Sequence, residues 1–86
     1  MILNLAMSEY KEVSFHVLFN VADGNHVSDR IMKSLRKIKG IVTVVHPNNT
    51  NAIYVSANWN ESETDEKIKQ IQKIAYVTGI SSEKEL

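Results

Sequence analysis

Hydrophobic and polar residues alternate from Val13 to Val21, with Val13, Phe15, Val17, Phe19 and Val21 on one face and Ser14, His16, Leu18 and Asn20 on the other. A period of two predicts a strand with one buried face. Beyond the turn-prone Ala22-Asp23-Gly24-Asn25 the period lengthens. Val27, Ile31, Leu35 and Ile38 recur at helical spacing, with Arg30, Lys33 and Lys37 on the opposite side. This predicts an amphipathic helix that closes near Gly40. Ile41 to Val45 is a β-branched run with Val42 and Val44 expected inward. Pro47-Asn48-Asn49-Thr50-Asn51 supplies a turn, and Ala52 to Trp59 alternates again with Ile53, Val55, Ala57 and Trp59 inward. The two runs predict a hairpin. Helical spacing returns over Thr64 to Thr78 through Ile68, Ile71, Ile74 and Ala75, with Ser62 and Asp65 resembling a capping box. Gly79 stands as the C-terminal cap of that helix and Ile80 as its hydrophobic partner. The remainder, Ile80 to Leu86, leaves room for at most a short fourth strand.

The order β-α-β-β-α, with a possible final strand, predicts an α+β, ferredoxin-like (split βαβ) sandwich: two helices on one face of an antiparallel sheet. A right-handed crossover makes the first two strands parallel, with the third between them. The first strand-to-helix loop, the hairpin and the loop after the second helix then share one pole. Residues 1–12 read as an N-terminal extension and 13–86 as a single domain, without repeats or linkers.

Composition narrows the class. The chain has 86 residues, ten basic and ten acidic side chains, and no cysteine. At this length only about 60% of the unfolded surface is buried, so with no disulfide or thiolate zinc site stability must come from packing. The leading segment MILNLAM has no preceding cation and is too short to span a bilayer; Met7 could be the natural start. A cytoplasmic protein with no membrane contact is expected. Charge is unevenly spread. Arg30, Lys33, Arg36, Lys37 and Lys39 make the first helix basic, while Glu61, Glu63, Asp65 and Glu66 make the start of the second acidic. The acidic group complements a helix N-terminus. The basic stripe is only partly explained that way, and docking of an acidic protein partner on Arg30, Lys33 and Lys37 competes with a plain solvated face.

The stretch Val21 to Ile41, VADGNHVSDRIMKSLRKIKGI, resembles the metal loop and first helix of heavy-metal-associated (HMA) domains such as bacterial copper chaperones. The family's loop runs G-M-x-C-x-x-C, with the second Cys fourteen residues before the hydrophobic residue of a Gly-Val pair. Aligned on Gly40-Ile41, the two Cys positions fall on Gly24 and Val27, and the Gly and Met positions on Val21 and Ala22. The spacing continues without gaps from Phe15 to Asn58, through Phe19, Ile31, Leu35, Ile38, Val44, Ile53 and Val55. An insertion follows in NWNESETDEK, and Ile80 stands where the family often has an aromatic residue. The resemblance implies a non-enzymatic protein of copper or other heavy-metal homeostasis, exchanging metal at the hairpin pole.

The thiolate chemistry of that family is chemically closed to this chain, because Gly24 and Val27 carry no donor. What remains at the pole is His26, between the two vacated positions, and His46, which continues the inward parity of the second strand; Asp23 could add a third ligand. Imidazoles suit Cu(II), Zn(II) or Ni(II) better than Cu(I). The candidate metal residues are therefore His26 and His46, with a copper or zinc ion as cofactor. Against this, a His in a polar loop is ordinarily solvated, and a His before Pro47 commonly caps a strand end. His16 belongs to the outward sheet face, and Met32 to the core or its margin.

Other classes find less support. No nucleophile-base pair, paired carboxylates or phosphate-cradling loop is present, so no catalysis is expected. Outward Tyr54 and His16 could present an open sheet to RNA, but the stacking signature is missing and net charge is zero, so no nucleic-acid partner is expected. An ACT-like small-molecule module shares the topology. The main alternative to a metal role is a protein-protein interaction or self-association module. Leu18, Thr43, Val45 and Tyr54 would form a partly apolar patch beside a sparsely charged edge strand, which predicts a homodimer.

Overall fold

The computed structural model describes residues 10–23 and 26–82. They form β1 (Tyr10–Phe19), a 3₁₀ turn (Val21–Asp23), α1 (His26–Arg36), β2 (Ile41–Val45), β3 (Ala52–Asn60), a second 3₁₀ turn (Glu61–Glu63), α2 (Thr64–Gln72) and β4 (Val77–Ser82). The four strands lie in the order β2-β3-β1-β4 with antiparallel neighbours. This is the α+β, ferredoxin-like arrangement expected from the element order, and the fourth strand forms.

The core follows from which strands are central. β1 and β3 pair along their length from Tyr10↔Asn60 to Leu18↔Ala52, and their inward residues Phe15, Val17, Phe19, Ile53, Val55, Ala57 and Trp59 are buried. Val27, Ile31 and Leu35 of α1 and Ile71 of α2 complete the cluster. Phe15 and Trp59 stack at 6.0 Å. Their rows are separated by the Val13↔Ala57 row, where a small residue leaves space for two rings.

Several boundaries differ from the sequence expectation, each for a local reason. β1 begins at Tyr10, inside the expected extension, because Tyr10, Lys11 and Glu12 find partners in Asn60, Trp59 and Asn58. It ends at Phe19: Val21, expected inward, enters the 3₁₀ turn and is 58% exposed. Val42, also expected inward, is 69% exposed. A bulge between Ile41 and Thr43 shifts the β2-β3 register there, so Ile41 and Val44 pack against the core instead. The capping box centred on Ser62 does not form. Asn60 Oδ1 accepts from the Ser62 amide and hydroxyl, both at 3.0 Å, and Thr64 Oγ1 donates to the Asn60 carbonyl at 3.3 Å.

The second helix stops at Gln72, not Thr78, and Gly79 lies within β4 opposite Leu18 instead of capping a helix. Ile74 still packs against the core. The Ile74 amide donates to Ile71 O at 3.0 Å, a three-residue return that keeps both side chains on the core side without a further helical turn.

The chain, expected to lack repeats, builds its two helix-to-strand joints alike. At the first, the amides of Lys37, Ile38 and Ile41 donate to the carbonyls of Ser34, Leu35 and Ile38; at the second, those of Lys73, Ile74 and Val77 donate to Gln70, Ile71 and Ile74. The residue before each following strand has positive φ: Gly40 at 97° and Tyr76 at 76°. The helix entries match too, since Asn20 Oδ1 accepts from Ala22 N and Asn60 Oδ1 from Ser62 N, each at 3.0 Å. A bulky residue at positive φ costs about 1–3 kcal/mol, so Gly40 is the favourable solution and Tyr76 the strained one.

Candidate functional site

At the hairpin pole, a cavity of about 500 Å³ is lined by Phe19 and Val21 at the end of β1, Ser28 of α1, and His46, Asn48, Asn49 and Thr50 of the β2-β3 hairpin. The hairpin is held by its own side chains. Thr50 Oγ1 donates to Pro47 O at 2.8 Å and to Ala52 O at 3.1 Å, and Asn49 takes the left-handed turn position at φ 63°. His46 Nε2 lies 2.9 Å from Thr50 O. A carbonyl can only accept, so Nε2 carries the proton in this bond and Nδ1 is the nitrogen left for another partner. The same ring meets Phe19 edge-on at 5.5 Å. His46 is thus a strand-end clamp that also faces the pole cavity.

His26 stands at the exposed first residue of α1. Gly24, Asn25 and the Asp23 side chain lie outside the described residues. Among the described residues no group of three or more His, Cys, Asp or Glu is arranged to hold a metal ion. Ser28, two residues along α1 from His26, shares the cavity with His46. Met32 is half-buried against the core, where its packing accounts for it.

The open sheet face carries polar as well as apolar groups. His16 meets Tyr54 edge-on at 5.7 Å, and the Tyr54 and Ser14 hydroxyls hydrogen bond at 3.2 Å. Leu18 and Thr43 are half-buried, and Val45 is 49% exposed. The β2 edge carries the bulge at Val42 and is followed by Pro47, both features that discourage strand addition.

The basic stripe acquires a shape that the sequence did not disclose. Arg30, Lys33 and Lys37, all exposed, line with Ser34 a groove of about 340 Å³, whose other residues are Ile74, Ala75 and Tyr76 from the joint between α2 and β4. Three cations therefore flank a partly apolar strip at a concave surface. Clefts bordered by one sign of charge concentrate the opposite charge and speed its encounter. The stripe was legible from the helical period, but its apolar side was hidden because Ile74 and Ala75 read as helix and Tyr76 carried no signal. The shared Lys-Ile of the two joints was the available clue.

Gly40, at the anchor of the HMA resemblance, is required by its own conformation and by Trp59 of β3. Gly40 takes φ 97°, and a Cβ there would overlap the Trp59 ring at Cδ1 and Nε1. Comparison with protein-family models, curated proteins and solved structures finds no match. Among the described residues no helix is long and apolar enough to cross a membrane.

Proposed function

We propose that this chain is a non-enzymatic docking domain that recognises an acidic segment of a protein partner along α1. The observation that supports it is the groove itself, with Arg30, Lys33 and Lys37 facing Ile74, Ala75 and Tyr76. A solvated stripe alone would need no apolar counterpart. A groove with cations on one side and an exposed aromatic on the other offers a partner both charge steering and an apolar contact. The HMA resemblance suggests the setting, a partner in heavy-metal handling, with docking retained on a scaffold whose thiolates are gone. The test is an amide-resolved NMR titration with a short Glu-rich peptide. Shifts should concentrate at residues 30–37 and 74–76 and weaken with salt. Shifts confined to the sheet face or the hairpin would contradict the reading.

A His-based metal site at His26 and His46 is the second reading. It draws support from the orientation of His46, whose Nε2–H is tied to Thr50 O and whose Nδ1 is the nitrogen left to ligate, an arrangement typical of imidazole ligands oriented by a carbonyl. Two imidazoles make an incomplete ligand set, so a tight site needs donors from a partner or a second copy. When bound, an ion would serve as transferable cargo, and the chain's own part is to orient His46.

A further inference from the structure

Tyr76 bears a backbone strain that its structural counterpart avoids. The two helix-to-strand joints share their hydrogen bonds, yet Gly40 occupies the positive-φ position in one and a tyrosine occupies it in the other. Glycine adopts that conformation freely, whereas an aromatic residue there is a true outlier. Core packing does not account for the choice. Tyr76 lies outside the hydrophobic cluster and is 47% exposed, while the adjoining Ile74 and Val77 both pack against the core. Tyr76 does line the groove of Arg30, Lys33 and Lys37. Backbone strain at a position outside the core is a feature of ligand-contacting and switch sites.

We infer that Tyr76 is the anchoring aromatic of the α1 groove, and that the segment bound there carries a bulky apolar side chain beside its carboxylates. The inference rests on the docking reading above and adds to it the chemistry of the partner. Three cations suffice to attract any polyanion, whether inorganic phosphate or a run of glutamates. An exposed phenol ring next to Ile74 and Ala75 adds what a pure polyanion cannot use: a flat apolar contact with a hydroxyl at its end. A ring of two χ angles also loses little conformational freedom on binding.

The experiment compares two short peptides, one Glu-rich and one of equal charge with a central Leu, on the wild-type chain, Tyr76→Gly, Tyr76→Asn and the double variant Lys33→Gln with Lys37→Gln. Thermal midpoints are measured alongside affinities. Wild type should bind the Leu peptide about tenfold more tightly than the Glu-only peptide, a typical gain from one buried apolar side chain. Tyr76→Gly and Tyr76→Asn should erase that difference while keeping or raising the thermal midpoint, since both residues tolerate positive φ. The double Lys variant should weaken both peptides together. A preserved Leu preference in both Tyr76 variants overturns the anchor role, as does a lowered midpoint in both, and each leaves docking intact if the Lys variant still weakens binding. Equal binding of both peptides by wild type also overturns it, and if inorganic phosphate competes equally well the groove is a general anion surface. If the Lys variant leaves both affinities unchanged, it is the docking reading that fails.

Discussion

The Trp59 indole lies across Gly40: its Nε1–H donates to Lys39 O at 2.8 Å, and the ring fills the space that a side chain on Gly40 would need. The Asn58 carbonyl crowds the same spot, 3.0 Å from an ideal Cβ, while the Asn58 amide donates to Gly40 O at 2.8 Å. Residues 39 and 40 thereby tie the end of the α1 joint to β3. Gly40→Ala meets a forbidden φ and a steric clash together, and should destabilise the fold by roughly 2–4 kcal/mol in urea denaturation. Trp59→Phe keeps an aromatic ring but leaves Lys39 O without its donor, and about 2 kcal/mol should be lost.

His46 closes the hairpin, so its removal should be felt as stability whatever its relation to metal. His46→Ala deletes the bond to Thr50 O and the edge contact with Phe19. A loss of about 1–2 kcal/mol is expected. Amide exchange should show it first at residues 46–51, ahead of β1 and β3. Unchanged exchange in the hairpin would contradict the clamp.

Metal titration separates that clamp from the second reading. Following the ring resonances of His26 and His46 while adding Zn(II), Ni(II) or Cu(II) should give only weak, non-saturating changes for the chain alone, because two imidazoles leave the coordination incomplete. Saturation of both rings at one equivalent would establish the His site in the isolated chain.

The bulge in β2 predicts opposite tolerance at neighbouring valines. Val42, 69% exposed, should accept Thr within about 0.5 kcal/mol. Val44, partly buried against the core, should lose about 1–2 kcal/mol on the same change, because a hydroxyl would face the apolar cluster there. Equal costs would mean that the register runs as simple alternation.

What the sequence disclosed and what it hid divide along physical lines. β1, α1 and β3 were legible because each buries one face continuously, so the period of Phe15-Val17-Phe19, Val27-Ile31-Leu35 or Ile53-Val55-Ala57 states the element directly. The end of α2 was not, since Ile71 and Ile74 sit three apart in a helix and in the tighter turn that replaces it. Gly79 misled for a related reason: the positive-φ residue is Tyr76, and a glycine nearby was the more favourable reading. Val42 was misplaced because a bulge has no signature in a run of β-branched residues. At the candidate site, the stripe of Arg30, Lys33 and Lys37 was visible, whereas its joint-borne side depended on where α2 stops. His46 was reached by extending the parity of Val42 and Val44, which the bulge breaks, and its tie to Thr50 required the hairpin geometry.

Docking along α1 is most directly tested by neutralising the stripe, in a variant combining Arg30→Gln, Lys33→Gln and Lys37→Gln, and measuring affinity for a Glu-rich peptide at low and high salt. All three side chains are exposed, so the fold should be retained, as circular dichroism would show. The account predicts at least about a tenfold loss of affinity at low salt and a nearly flat salt dependence in the variant, against a steep one in the wild type. Unchanged affinity with unchanged salt dependence would contradict it.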